Sequence, residues 1–425
     1  MKVKFLIIGG GLSGLAFANQ AKGEDYYIVE RESSLGGLCR THYVDDYIWD
    51  YAGHFFHFAN PEIKQFFESK MTDESFVKCE KNTKIYYKGK FIDYPFQKNI
   101  HQLDKEEFIE CLYFLFNRPI KEKYSDYLQM LYGKFGKGIT EKFLKPYNEK
   151  LYACELEELD TEAMGRFFPY ADIQDIINNM YEKNNNSYNT IFDYPKNGAQ
   201  EIINLLLDNV ESDRIVLNTS VTDIDIENKI AHLSNGNPVQ YDYLINTIPF
   251  NKFIDLYNSC VDKTKLSANQ VLVFNLGFDA KTNNREIHWI YYPSSELCFY
   301  RVGFYDNILK QDRGSLYVEI GLDENVNIDE KIVQESLKNI LRDLNIVGVI
   351  TNQKLVAWEA LVINPGYVHV TENGKKTVEN EIKKLGTCDI YTIGRYGKWT
   401  YCSMEDCIIQ AINTHREIRE KNDSI

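Results

Sequence analysis

The chain has 425 residues, 44% of them apolar, which is more than one ordinary core holds and enough for two or three domains. A net charge of −14 argues against global binding to nucleic acid or an anionic membrane, so an anionic small ligand needs a local cluster of Arg or Lys. Nine scattered cysteines with no paired spacing fit a reducing cytoplasm, and neither a run of about 18 apolar residues nor a secretory leader is visible.

Residues 4–8 read as a short apolar strand that runs into Gly9-Gly10-Gly11-Leu12-Ser13-Gly14. An Ala/Leu-rich helix and a second strand at 26–29 follow, ending in Glu30. Gly9, Gly11 and Gly14 fit the G-x-G-x-x-G spacing of a dinucleotide site. The first glycine allows a tight turn, the second lets the backbone approach a pyrophosphate, and the third lets the helix pack on the strand. The helix N-terminus then offers its unpaired N–H groups and dipole to the phosphates, and Glu30 stands where an acid meets a ribose hydroxyl.

Residues 84–91 look like a hairpin, and 104–182 carry apolar residues at helical spacing, as in Phe108, Leu112, Leu115 and Phe116. Asn184-Asn185-Asn186-Ser187 reads as a polar loop and 193–198 as a turn. A helix is expected over 200–209, antiparallel strands over 214–234, a buried strand over 243–247, and strands through 268–322. An amphipathic helix over 329–344, a strand into a turn over 389–395 and a last helix over 404–419 complete the pattern. The 30 tyrosines suit either core and rim positions or a ligand cleft lined with phenols.

A second cluster, Glu30-Arg31-Glu32-Ser33-Ser34-Leu35-Gly36-Gly37-Leu38-Cys39-Arg40-Thr41, joins the opening glycines. Together they resemble the two-part FAD signature of the amine-oxidase and protoporphyrinogen-oxidase-like flavoproteins. Further segments are similar to the UDP-galactopyranose mutase family. They are 50–57 (Asp-Tyr-Ala-Gly-His-Phe-Phe-His), 143–152 (Phe-Leu-Lys-Pro-Tyr-Asn-Glu-Lys-Leu-Tyr), the Pro195-Lys196-Asn197-Gly198 turn, Phe299-Tyr300-Arg301, and 394–406, which begins Gly394-Arg395 and holds Tyr401 and Met404. They occur in the family's order along almost the whole chain. Three positions depart from it: Tyr152 replaces a Trp, Ser403 stands near a usual Asp or Asn, and 169–172 lacks the first diphosphate arginine, with Arg166 one turn earlier.

The resemblance implies an α/β protein with a discontinuous Rossmann-like FAD-binding domain (1–98, 192–245 and 386–425), a helical insertion (99–191) and an antiparallel sheet substrate domain (246–385). It implies FAD held by Gly9, Gly11, Leu12, Ser13, Gly14, Glu30, Arg31, Gly37, Leu38, Arg40, His54, Val221, Gly394, Arg395 and Met404. His54, Arg301 and Arg395 are expected at the chemistry, and Tyr152, Arg301, Tyr367 and Tyr401 at the substrate. The implied reaction interconverts pyranose and furanose forms of a nucleotide sugar, UDP-linked, through a reduced-flavin N5–sugar adduct, for polysaccharide synthesis. An oxidase or dehydrogenase of the amine-oxidase or protoporphyrinogen-oxidase type is the alternative, and a non-catalytic flavoprotein scaffold a third reading. A homodimer is left open. No metal is expected, since His54 and His57 have no Cys or Glu partners, and Cys402 and Cys407 read as packing residues with no resolving pair.

Overall fold

The computed structural model describes residues 1–72, 75–185 and 190–423. The chain opens with β1 (Lys2–Ile8), α1 (Leu12–Gln20) and β2 (Tyr26–Val29). A hairpin of β3 (Thr41–Val44) and β4 (Tyr47–Asp50) follows, then α2 (Pro61–Glu68), β5 (Phe76–Glu80), and a hairpin of β6 (Thr83–Tyr87) and β7 (Lys90–Asp93). Four helices come next: α3 (Lys105–Phe116), α4 (Tyr127–Ile139), α5 (Lys145–Tyr152) and α6 (Ile173–Tyr181). After β8 (Ile191–Pro195) and α7 (Gln200–Leu207) the chain lays down β9 (Ile215–Val216), β10 (Val221–Asp225), β11 (Ile230–Leu233) and β12 (Pro238–Asn246). Short α8 (Phe250–Phe253) leads to β13 (Asn269–Phe278), β14 (Trp289–Tyr291), β15 (Arg301–Phe304), α9 (Tyr305–Leu309) and β16 (Ser315–Asp323). The chain closes with α10 (Glu330–Ile346), β17 (Leu355–Ile363), α11 (Glu372–Gly386), β18 (Ile390–Thr392) and α12 (Met404–Asp423).

Two seven-stranded sheets organise these elements. The first runs β10-β11-β12-β1-β2-β9, with β18 also on β12. Its centre is parallel, and only β10, β11 and the start of β12 pair antiparallel. Parallel strands are covered on both faces and read as continuous apolar runs. In β1, Phe5 and Ile7 pack among residues of α1, α7 and α12, while Leu6 and Ile8 pack on the other side with Leu244, Phe250 and Leu385. The second sheet runs β17-β13-β16-β15-β14-β6-β7. All ten residues of β13 are buried. Leu272, Phe274 and Leu276 share a core with Leu337, Ile340 and Leu344 of α10, and Val271 and Val273 join the core of the helical insertion.

The sheet pairing departs from the expected division at one place. The hairpin of β6 and β7 lies within 1–98 but pairs through β14 into the second sheet. Its partner is some 200 residues away in sequence, so no local pattern carries that information. In the polar run 184–187, Asn186 and Ser187 lie outside the described residues. Among the described residues no helix is long and apolar enough to cross a membrane.

Candidate functional site

The two glycine clusters fold against each other. Gly9, with φ +102°, turns the chain out of β1, and a Cβ on Gly14 would stand 2.0 Å from the Gly9 carbonyl oxygen, so only glycine lets α1 seat on the strand. The Gly36 N–H donates to the Gly10 carbonyl at 2.9 Å, and a Cβ on Gly37 would come within 3.2 Å of the Gly11 Cα. Gly11 is the N-cap of α1 and no side chain caps that terminus. The result is a backbone cradle whose open helix N-terminus suits a pyrophosphate.

The side chains around the cradle hold it in place. Glu30 accepts the Gly10 N–H on one oxygen at 2.7 Å and the Glu32 N–H on the other at 2.9 Å. It therefore fixes the loop as well as facing the cavity. Arg40 donates to the Gly37 carbonyl at 2.9 Å and to the Tyr51 hydroxyl at 3.0 Å. Arg31 is exposed beside Glu32, and Val221 opens β10 at the same rim.

A cavity of about 1140 Å³ runs from this cradle to the second sheet and the helical insertion. Ordinary ligand pockets hold roughly 300–1,000 Å³, so there is room for a long cofactor and a second ligand. Gly9, Gly11, Leu12, Ser13, Glu30, Arg31, Gly37, Leu38, Arg40, His54, Val221, Arg301, Tyr367, Arg395, Tyr401 and Met404 all line it.

His54 sits midway along the cavity with a buried Nδ1 that has no partner. Burial, then the charges of Arg395 and Arg301, push its pKa down to about 4, so the ring is neutral at pH 7. Arg395 follows β18, where the turn at Gly394 (φ +87°) packs on Ser13 so closely that a Cβ would stand 2.4 Å from its Oγ. The guanidinium lies 4.4 Å from the Tyr401 ring centre and 5.3 Å from that of Tyr367. Among the described residues no carboxylate pairs with it, and its Nε is buried without a partner.

One expected residue carries a partner that its motif did not show, and two others lie outside the cavity wall. Arg301 is not a free cation. It stands directly across from Glu319 in the β15–β16 register, and the two form a bidentate pair, with Nη2 to Oε1 at 2.7 Å. The ordered turn of α5 places Tyr152 in the core against Tyr127 and Tyr367, only 1% exposed, and Tyr147, Asn148 and Leu151 of that helix line the cavity instead. Gly14 packs α1 on the strand as its spacing predicts, and Gly394, expected at the cofactor, packs on Ser13 and does not line the wall.

The region that lacks the expected arginine contributes Arg166, which reaches Asp406 at 2.7 Å and ties the insertion to α12. Trp289, Tyr291, Tyr317 and Glu319 complete the wall, and sequence reasoning missed them. Their signal was the alternation of strands: Tyr317 and Glu319 face the cavity while Leu316, Val318 and Ile320 face α10. A buried acid inside an apolar strand was the visible mark.

A family model described as flavin containing amine oxidoreductase matches residues 12–345. Protoporphyrinogen oxidase of Dictyostelium discoideum is 25% identical over 161 residues, 35% of this chain and 29% of that protein. An uncharacterized protein in the nifH2 3′ region of Methanothermococcus thermolithotrophicus is 39% identical over 54 residues, 12% of this chain and 52% of that one. The matched part is thus under two thirds of either relative's length. Among solved structures, reduced UDP-galactopyranose mutase superposes with a TM-score of 0.91 at 22% identity, covering 99% of this chain and 94% of that one. A putative protoporphyrinogen oxidase from Exiguobacterium sp. 255-15 gives 0.76 at 18% identity, covering 99% of both. These structures share the fold. The glycine cradle, the uncapped helix and the matched family agree on FAD as the cofactor. The chain belongs to the flavin containing amine oxidoreductase family.

Proposed function

We propose that the protein is an FAD-dependent mutase that interconverts pyranose and furanose forms of a nucleotide sugar for polysaccharide synthesis. The observation that carries this reading is Arg395: a cation with no acid partner among the described residues, set among tyrosines in a cavity with room for a cofactor and a second ligand. Such a group suits a diphosphate. The three acids that line the cavity, Glu30, Glu32 and Glu319, already have partners: Glu30 holds two backbone N–H groups, Glu32 faces Arg31 and Arg40, and Glu319 pairs with Arg301, so among the described residues a cationic amine finds no free counter-ion there. The superposition with reduced UDP-galactopyranose mutase supports the same reading.

Reduced FAD supplies the nucleophile when bound. The chain's own residues bind and orient. Arg395 offsets the diphosphate charge. Arg301 adds donors, since Glu319 uses two of its five N–H groups. Tyr367 and Tyr401 stack at 5.8 Å, and the pair offers hydroxyls to phosphate oxygens or a face to uracil. His54, neutral and with Nδ1 unpartnered, hydrogen-bonds the flavin edge or a sugar hydroxyl. The expected three-part division stands with this proposal, the hairpin of β6 and β7 being reassigned to the substrate sheet.

Dithionite-reduced protein given UDP-galactofuranose should yield UDP-galactopyranose, read by chromatography, with no net electron consumption. No interconversion, with peroxide formed from a reduced substrate in air, would instead establish the second reading, an oxidase of the protoporphyrinogen type. The aromatic wall and the absent first arginine favour that alternative.

A further inference from the structure

Cys402 and Cys407 flank the start of α12. Ser403 and Asp406 hold that start in a reciprocal cap: the Ser403 N–H donates to Asp406 Oδ2 at 2.8 Å, and the Asp406 N–H to Ser403 Oγ at 3.1 Å. This turn folds the two cysteines back on each other, with their Sγ atoms 3.7 Å apart. Among the described residues no other two cysteine sulfurs meet, and all nine cysteines are free. Both thiols line the cavity, beside Ser13 of the cradle and next to Arg395 and Met404. Cys407 lies in the first turn of a 20-residue helix, where the dipole favours a thiolate. Its thiol is pushed down by the hydrogen bond shared with Cys402, in which either sulfur can donate, against burial, which pushes it up, and with help from the Ser13 hydroxyl and the Arg395 amide, while Cys402 is pushed up. The two sulfurs thus share a hydrogen bond at a helix N-terminus that favours a thiolate. Cys407 also belongs to the core around α1 and α12, with Cys402 packed against it, so burial alone is accounted for by packing and the 3.7 Å approach of the sulfurs in the cavity is the further feature.

We propose that Cys402 and Cys407 are a redox-active dithiol that reduces the bound flavin. Oxidation breaks two S–H bonds and forms one S–S bond. Two electrons and two protons pass to the oxidised isoalloxazine, which becomes the two-electron-reduced form. An external dithiol then exchanges with the Cys402–Cys407 disulfide, is itself oxidised, and restores both thiols. Bond formation needs the sulfurs to close from 3.7 Å to about 2 Å, within reach of side-chain rotation. The inference rests on the flavin and not on the sugar, so its failure leaves the mutase reading intact, and the converse holds.

Tryptic cleavage leaves both cysteines in one peptide, residues 399–416. In both apoprotein and holoprotein, limited diamide followed by alkylation should leave that peptide unalkylated and lighter by about 2 Da than its dithiol form, before other thiols are lost. In anaerobic holoprotein, dithiothreitol should bleach the visible flavin absorption about ten-fold faster in the wild type than in Cys402→Ser or Cys407→Ser. Absence of the internal disulfide, or equal bleaching rates in all three proteins, overturns the proposal. If a serine variant takes up no flavin, the disulfide map of the wild type decides.

Discussion

Register between neighbouring strands sets what Arg301 does. Opposite Glu319, it makes an ion pair within the sheet, on the wall of the cavity. Removing one partner of such a pair strands the other charge, at a cost of about 3–5 kcal/mol, whereas replacing both with apolar residues is often neutral. Arg301→Ala should therefore lower stability in urea far more than Arg301→Met combined with Glu319→Leu. Equal losses in the two variants would show that the pair is not a unit. His54 carries a pH signature. Its folded pKa is near 4 and its unfolded pKa is 6.5. Between those values the unfolded chain binds a proton that the folded chain refuses, so stability present above pH 6.5 is lost as pH falls through 4, on the order of 3 kcal/mol in total. Urea midpoints of the apoprotein at pH 7 and 4.5 should differ, and His54→Gln should flatten the difference. At this scale the glycines were legible because each answers a local backbone demand. The partner of Arg301 was not, because a cross-strand neighbour 18 residues away appears only once β15 and β16 are paired. Tyr152 was misplaced because the motif gives composition and not which face of α5 meets the cavity.

At the scale of elements, Lys150 fixes how α5 meets the second sheet. Its Nζ donates to the carbonyls of Tyr292 at 3.1 Å, Ser294 at 2.8 Å, Leu297 at 3.0 Å and Phe299 at 2.5 Å, closing the connection between β14 and β15. The same helix turns Tyr147 and Leu151 to the cavity. Lys150→Met keeps the apolar stem but removes the ammonium from all four carbonyls, of which Ser294 keeps the Leu297 N–H at 3.4 Å. The expected loss is about 2–4 kcal/mol in urea denaturation, accompanied by weaker nucleotide binding. An unchanged midpoint would mean that water replaces the ammonium. The strand–glycine–helix–strand opening was legible because four signals coincide within 30 residues. α11 was not, because its sequence, Glu-Asn-Gly-Lys-Lys-Thr-Val-Glu-Asn-Glu-Ile-Lys-Lys-Leu-Gly, offers just Val378, Ile382 and Leu385 to a core, and its first turn and a half carry no apolar residue at all. Likewise β17 and α2 owe their positions to packing partners far along the chain.

Across the whole molecule, the cavity gathers parts of the chain that are hundreds of residues apart. The cradle comes from the first 40 residues, Val221 from the middle, and Arg395, Met404 and the thiols from the end. Arg166 and Phe167 of the insertion reach the closing segment through Asp406 and Tyr401, so the insertion is fastened to the same place. A ligand that binds only the folded state stabilises it by about 2.7 kcal/mol at a free concentration one hundred times its dissociation constant. Here that energy acts on segments that local opening separates first, since loops open at far less than the global unfolding energy. Hydrogen exchange with and without FAD should show slowed amides at 9–13, 36–40 and 394–407 together. The amides of β13, paired on both sides by β16 and β17, should exchange equally slowly in both states. Protection confined to the first segment would mean that the carboxy-terminal turn does not close on the cofactor, and the placement of Arg395 and the Cys402–Cys407 pair beside it would fall with that result.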